Sequence, residues 1–557
     1  MLLLTGLALW GSAMAAPTKF VPAARVQPNG DTLHCYASGD EFYNWLHDAE
    51  GYTIVQNPAT GFYVYAGREQ DCPGSTPVYG GLYATTLKPG KDDPKAAGLQ
   101  SWLMPDKDYL RSAHDAWREP KVNLSESPKS RIRNHGALNN VVIFIRFADE
   151  TTCTTTPFST IDSMFNDSTA TGVSMYNYFK HTSYGNLRVL THYRPAPSGT
   201  MVMSYQDGYA RNYYKPYNAV TNPDGYADET QRRSREFTLL ENAIEWVNLN
   251  CPVDTTLNLD IDNDGMVDNV CFVVSGSYIG WSNLLWPHKW SLHDRTVNLG
   301  NKRVYTYNLQ LAGSGSNYFN VSTFCHEMTH TLGAPDIYHY DNYTSVSPGG
   351  SWDLMCSNMS PPQQTNSLFK YHYLNWFDSI PQISDSGTYT LQSLGSGPNN
   401  AVKISSAVPH EWYILEYRNN TDTFDASLPN RGMLIWRYND RREADNATFD
   451  FYLAPHQLWL FRPNSSIDTV NGNYSQAAFG VSGRTTFNAS SNPHPYLCDG
   501  TPDSSFSITD IHLSGPNNSS VTFTFTPSAR EPARRCRTSR WCRISSWPTK
   551  AAGPWRA

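Results

Sequence analysis

Two histidines four positions apart, with a glutamate directly after the first, hold the chemistry of this chain. Residues 323–338 read Thr-Phe-Cys-His-Glu-Met-Thr-His-Thr-Leu-Gly-Ala-Pro-Asp-Ile-Tyr. On a helix, His326 and His330 project from one face and can bind one metal ion. Glu327 lies beside them, placed to take a proton from a water that the metal activates. Gly333 tolerates positive φ and lets the chain turn out of the helix. That turn can bring Asp336 back as a third ligand. His339 is a rival for the role, because imidazole is an excellent zinc ligand, and Asp341 follows it. Two nitrogens and a carboxylate oxygen leave a fourth tetrahedral position open, the pattern of a catalytic zinc site rather than a structural one. A bare His-Glu-x-x-His arises by chance in roughly a few per cent of chains of this length. Here uncharged Met328 and Thr329 fill the variable positions, and Leu332, Gly333 and Asp336 follow in order. The competing reading is a solvated surface helix that carries two histidines by accident.

A second cluster suits a different cation. Asp260, Asp262, Asp264, Gly265 and Asp268 occupy positions 1, 3, 5, 6 and 9 of a calcium loop, with the Met266 carbonyl at position 7. Position 12 is Cys271 instead of the bidentate Glu of an EF-hand. The spacing points to a single-loop calcium site feeding the strand that follows, against the alternative of a solvated acidic turn. Four carboxylates this close repel one another without a cation.

These groups need a scaffold. Residues 141–147, Val-Val-Ile-Phe-Ile-Arg-Phe, suit a buried strand, as do residues 269–274. Helical spacing runs through Phe237, Leu240, Ala243 and Trp246, and the histidine helix is expected at about residues 319–332. Alternating strands and helices make residues 140–384 an α/β catalytic domain. After it, strand-like runs separated by Asn, Gly, Ser and Pro predict a β-sandwich over residues 385–526. Residues 16–110 read as an aromatic-rich α+β unit, a pro-region or accessory domain. Residues 111–139 form a basic linker with Arg118, Lys121, Lys129, Arg131 and Arg133, open to proteolytic processing. Residues 527–557 read as a disordered basic tail.

A chain of 557 residues exceeds one core, so several domains are required. Only 17% of residues are charged while 13% are aromatic, which suits a β-rich exported protein. A net charge of −7 gives no support to nucleic-acid binding. Residues 1–15 resemble a secretory signal peptide, with an apolar run and then Ala13-Met14-Ala15. That run is too short to span a bilayer, so a secreted or cell-surface monomer with no membrane span is expected. The ten cysteines lack zinc-ribbon spacing. Cys251 with Cys271, or Cys35 with Cys72, are candidate pairs in an exported chain, while Cys325 and Cys356 read as buried thiols.

The histidine segment is followed by Gly349-Gly350-Ser351-Trp352-Asp353-Leu354-Met355. Taken together, the two segments resemble the immune inhibitor A family of secreted bacterial zinc metallopeptidases, which is related to the metzincins. The resemblance implies a metzincin-like catalytic domain, an N-terminal pro-region and a Met-turn that places Met355 beneath the zinc. Residues 174–187, the acidic loop at 259–268 and Trp286-Pro287-His288-Lys289-Trp290 match the same family in its usual order, and the likeness covers about residues 140–380. The chain departs from it in having no Tyr two residues past Met355, and Cys325 precedes His326 where the family varies. The expected function is hydrolysis of peptide bonds in extracellular proteins or peptides. The alternative is a surface adhesin or glycan-binding β protein with a vestigial peptidase domain. A zymogen is also expected, with a pro-region side chain such as Cys35 or Cys72 able to replace the catalytic water.

Overall fold

The computed structural model describes residues 18–39, 43–70, 75–117, 134–276, 287–313, 319–338, 346–441, 456–465 and 470–528. The signal-peptide reading, most of the basic linker, the basic tail past residue 528, Cys72, Trp286, His339 and Asp341 lie outside these residues. The protein is a sheet-rich mixed fold of several units with few helices.

The first unit is an antiparallel sheet of β1 (Thr18–Val26), β2 (Thr32–Gly39), β3 (Asn44–His47), β4 (Thr53–Gln56), β5 (Tyr63–Gly67), β6 (Thr76–Pro77) and β7 (Tyr83–Ala84), followed by α1 (Lys107–Trp117). Leu33, Cys35, Ala37, Leu46, Ile54 and Tyr65 close a core of its own. It meets the rest of the protein where α1 touches a long helix described below, and where Gln56 Nε2 donates to Thr221 Oγ1 at 3.1 Å.

The second unit is built on β8 (Gly136–Arg146). After it come α2 (Phe158–Asn166), α3 (Met175–Thr182), β9 (Leu187–Tyr193), β10 (Tyr205–Gln206), α4 (Glu229–Asn250), β11 (Asn269–Val274), β12 (His288–Ser291), β13 (Asn298–Leu299), β14 (Lys302–Arg303), β15 (Thr306–Leu311) and α5 (Val321–Thr331). The main sheet has the order β10-β8-β11-β15-β12, with β9 also on β8. All pairs are parallel except β12 on β15, so β12 is an antiparallel edge strand. The apolar run of β8 buries both faces, as a central parallel strand must. Val141, Ile143 and Ile145 point to one core with Phe237, Leu240 and Ile244 of α4. Val142 and Phe144 point to another with Tyr178 of α3 and with Phe324 and Met328 of α5. Helix starts follow the capping rule: Asp228 accepts from Gln231 N–H ahead of α4, and Asn320 accepts from Thr323 N–H ahead of α5.

This division corrects one expectation. Cys251 and Cys271 are both free thiols. Cys271 faces the α5 core while Cys251 packs on the α4 core, so the sheet itself separates them. Cys35 is likewise a free, buried thiol, as are Cys325 and Cys356.

Beyond α6 (Ser367–His372) come β16 (Gly387–Gln392), β17 (Ala401–Ser405), β18 (Glu411–Arg418), β19 (Gly432–Asn439), β20 (Leu458–Leu460), β21 (Phe506–Ser514) and β22 (Ser520–Pro527). They form two antiparallel sheets, β16-β22-β21 and β17-β18-β19-β20. Leu391, Ile508 and Phe523 of the first meet Tyr413, Leu415 and Ile435 of the second in one core. The outer face of the second sheet is not solvated. Ile414, Leu434, Trp436 and Leu460 join the same apolar cluster as Phe324, Met328, Leu354 and Met355. One core therefore runs across the change of pattern at residue 385.

Trp436→Ala should cost about 3–5 kcal/mol, as expected for truncating a buried Trp. It should also lower hydrogen-exchange protection in α5. Unchanged protection there would show that the two halves are stabilised independently.

Candidate metal centre

Helix α5 brings its two imidazoles together as the spacing requires. His326 Nε2 and His330 Nε2 lie 3.0 Å apart. At Gly333 the chain leaves the helix with φ +102°, and the turn returns Asp336. Its Oδ1 lies 3.1 Å from His326 Nε2 and its Oδ2 lies 3.3 Å from His330 Nε2. These three residues form a group that could hold a metal ion. Tetrahedral ligands at about 2.0 Å from zinc stand about 3.3 Å apart, so the triangle has a fitting size.

The donor chemistry fits as well. His330 Nδ1 donates to the Ala334 carbonyl at 2.8 Å. His326 Nδ1 lies 3.0 Å from both the Leu354 carbonyl and Asn358 Oδ1. With the protons held at Nδ1 by these acceptors, the Nε2 lone pairs face one another and the Asp336 carboxylate. Converging lone pairs need a cation between them or a proton on one of them. Burial pushes the His330 imidazolium pKa down, but the Asp336 carboxylate outweighs it and raises the value to about 9. Burial works against ionised Asp336 too, and the two imidazoles overcome it, holding the carboxyl well below the usual range. His326 and Asp336 are almost fully buried, while the His330 side chain is 17% exposed, so the site opens on the His330 side.

Glu327 sits in the same interior, 2% exposed. Burial pushes its carboxyl pKa up, and His326 and His330 only partly pull it back. Among the described residues, no side chain hydrogen-bonds to its carboxylate. Met355 is fully buried in the core that contains α5. Its amide donates to Asp353 Oδ1 at 2.8 Å and its carbonyl accepts from Ile337 N–H at 2.8 Å, next to Asp336. The turn at 353–358 thus touches two of the three ligands or their neighbours.

Several supporting residues carried no signal in the sequence reading. Asn358 is one, a buried amide with no motif around it. Another is a polar ladder across the sheet. Asn269 Nδ2 donates to Asn140 Oδ1 at 2.7 Å, Thr331 Oγ1 donates to Asn269 Oδ1 at 3.2 Å, and Asn308 Nδ2 donates to the Glu327 carbonyl at 3.1 Å. It pins the C-terminal half of α5 to β8, β11 and β15. Polar residues inside an apolar strand run are legible as an anomaly, but their partners are not.

In the acidic loop the structure brings together Asp260, Asp262 and Asp268 as a second group that could hold a metal ion. Asp264 is not part of it; its Oδ1 accepts from Met266 N–H at 2.8 Å. Gly265 has φ +88°, and the Asp260 carboxylate accepts from the N–H groups of Asp264 and Gly265. Lys302, from β14, donates to Asp260 Oδ2 at 2.6 Å. The loop therefore has an internal cation that the spacing could not reveal. Burial raises the Asp260 pKa, but Lys302 and the backbone donors outweigh it and keep the carboxyl low.

Cys35 lies in the core of the N-terminal sheet and does not join the ligand group. Contacts of that unit with the rest include α1 on α4, which packs on the face of the main sheet opposite α5, and Gln56 with Thr221. No helix among the described residues is long and apolar enough to cross a membrane. No protein-family model matches this chain, and no curated protein matches it.

Calcium should raise the melting temperature, because a ligand that binds only the folded form stabilises it by about 2.7 kcal/mol at a hundred times its dissociation constant. Lys302→Met should enlarge the gain by removing the competing ammonium, and Asp262→Asn/Asp268→Asn should abolish it. Calorimetry with and without calcium decides; an equal gain in all three chains would remove the loop from the account.

Proposed function

We propose that this chain is a secreted zinc-dependent endopeptidase of the immune inhibitor A-like, metzincin-related type, acting as a monomer on extracellular proteins or peptides. The observation that carries the reading is the buried triangle of His326 Nε2, His330 Nε2 and Asp336 with the Glu327 carboxyl in the same interior. In this reading Met355 forms the Met-turn, residues 16–110 are the pro-region, residues 385–526 are the β-sandwich, and the acidic loop takes calcium.

His326, His330 and Asp336 would hold zinc, which would supply a Lewis acid for the scissile carbonyl and for a water. Glu327 takes the proton from the attacking water on a carboxylate oxygen and delivers it to the leaving amine nitrogen. Burial favours the protonated carboxyl, which suits a group that must hold the proton between two transfers. The Nδ1 bonds of the two histidines keep both rings in one tautomer throughout.

The full chain should hydrolyse denatured casein, lose the activity to a chelator and regain it with zinc. Glu327→Gln should keep stoichiometric zinc and lose activity by about 10²–10⁴-fold or more. Full activity in a zinc-loaded Glu327→Gln protein would refute the base assignment. Absence of zinc-restorable hydrolysis in the wild type would favour the adhesin alternative.

A further inference from the structure

The C-terminal sheet reaches the metal-ligand side of the molecule through one fully buried arginine. Arg418, the last residue of β18, is 0% exposed. Its Nη1 donates to the Trp352 carbonyl at 2.9 Å and its Nη2 to the Gln364 carbonyl at 3.0 Å. Its Nε donates to Asp425 Oδ2 at 2.8 Å, and Glu416 lies 3.4 Å from Nη1. Glu416 Oε2 in turn accepts from Ser367 N–H at 2.7 Å. One guanidinium therefore fixes both ends of the segment 352–364.

That segment does the orienting at the site. Asp353 follows Trp352 and accepts from Met355 N–H on one oxygen and from Asn366 N–H and Nδ2 on the other. Leu354 and Asn358 supply the acceptors for His326 Nδ1. A second arginine, Arg462, holds the approach to the turn, donating to the Pro348 carbonyl at 2.9 Å and the Ser347 carbonyl at 2.7 Å. Trp352 Nε1 donates to the Tyr474 carbonyl at 2.6 Å from the same side.

We propose that Arg418 is a positioning residue for the metal centre: through the Trp352 and Gln364 carbonyls it sets the turn whose Leu354 carbonyl and Asn358 amide orient His326. This rests on the metal-site reading given above. It makes the C-terminal sheet part of the site and not an appendage. A guanidinium is suited to the task because its planar fork serves a carboxylate and two carbonyls at once, which an ammonium cannot do.

The test compares Arg418→Met and Arg418→Lys with Arg437→Met in the full chain. Arg437 is an equally buried arginine of the adjacent strand; it donates to the Leu497 carbonyl, lies 3.9 Å from Glu411 and sits over the Tyr496 ring, and Tyr496 belongs to the core between the two C-terminal sheets. Zinc affinity is measured by competition with a chromogenic chelator, the ligand field by the visible spectrum of the cobalt-loaded protein, and the turn by hydrogen exchange over residues 346–358. Arg418→Met should weaken zinc binding severalfold, less than the about 10–100-fold expected on losing a group bonded directly to a ligand. It should also alter the cobalt bands and speed exchange in the turn. Arg418→Lys, the variant more apt to fold, should shift all three readouts in the same direction by less. Arg437→Met should lower the melting temperature while leaving zinc affinity and the cobalt spectrum at wild-type values. Equal zinc affinity in wild type and Arg418→Lys, or equal losses in the Arg418 and Arg437 variants, would overturn the positioning role. A wild-type chain that binds no zinc would overturn the metal-site reading itself, a distinct result.

Discussion

Helix α5 must carry polar groups through an apolar interior, and much of the surrounding structure exists to satisfy them. Every residue of Val321–Thr331 except His330 is buried. A helix buried on all sides is ordinarily apolar all round. This one carries Ser322, Thr323, His326, Glu327, Thr329 and Thr331. Each polar group left without a partner would cost about 1–3 kcal/mol. Ser322 donates to the Met359 carbonyl, Thr329 to the Cys325 carbonyl and Thr331 to Asn269, while Thr323 Oγ1 accepts from Asn320 Nδ2. His326 is met by Leu354 and Asn358. What remains after this accounting is the face where two imidazole nitrogens, Asp336 and Glu327 converge. The demand for satisfaction thus isolates the reactive groups from the merely buried ones.

The main sheet answers the same demand on its own side. Its strands bury apolar residues on both faces, yet Asn140, Asn269 and Asn308 interrupt them. In exchange for some apolar burial, the amides fix the height of α5 over β11 and β15. Hydrophobic contact is non-directional and would tolerate a small slide of the helix. A hydrogen-bonded ladder does not, because a slide strands several buried donors at once.

This distinction also explains what the sequence made legible. The His-Glu-x-x-His spacing, Gly333 and Asp336 act within one helix and its exit turn, so local geometry determines their convergence. The β8 run and the α4 periodicity are equally local. Asn358 and Arg418 act through contacts far along the chain, and nothing in their own neighbourhoods marks them. The change of pattern near residue 385 marks a change from α/β to β structure, but periodicity cannot say what covers a strand. In β18, Tyr413 and Leu415 face one core while Ile414 faces the other, so neither side is solvent. The Cys251–Cys271 pairing failed for a related reason: nearness in sequence says nothing about which face of a sheet a residue takes. The carboxylate spacing of the acidic loop was legible, whereas Lys302, arriving from β14, was not.

The boundary between the two halves holds a cluster of buried charge, and stability alone does not account for it. Arg418, Asp425 and Glu416 are all fully buried there. Lys370 joins them, donating to the Thr182 carbonyl, Tyr184 Oη and Gln364 Oε1. Burial, reinforced by Arg418, pushes the Lys370 ammonium pKa down to about 7, so the charge is held at a cost even with three acceptors in place. Apolar residues of similar volume are often as stable as such clusters or more so. Directional precision is what apolar residues cannot supply. A slip of one residue along β18 would carry the guanidinium about 3.3 Å from its carbonyls. It would leave Arg418 and Asp425 uncompensated in an apolar setting, at a cost of several kcal/mol. Such a slip would also turn the residues of β18 to the opposite cores, so packing and the ladder oppose it as well; what non-directional apolar contact tolerates is a smaller shift. Catalytic constellations need their side chains held within about 0.5 Å. The ionic cluster removes the small shifts that apolar contact alone would leave, and His326 is oriented by the segment that the cluster holds.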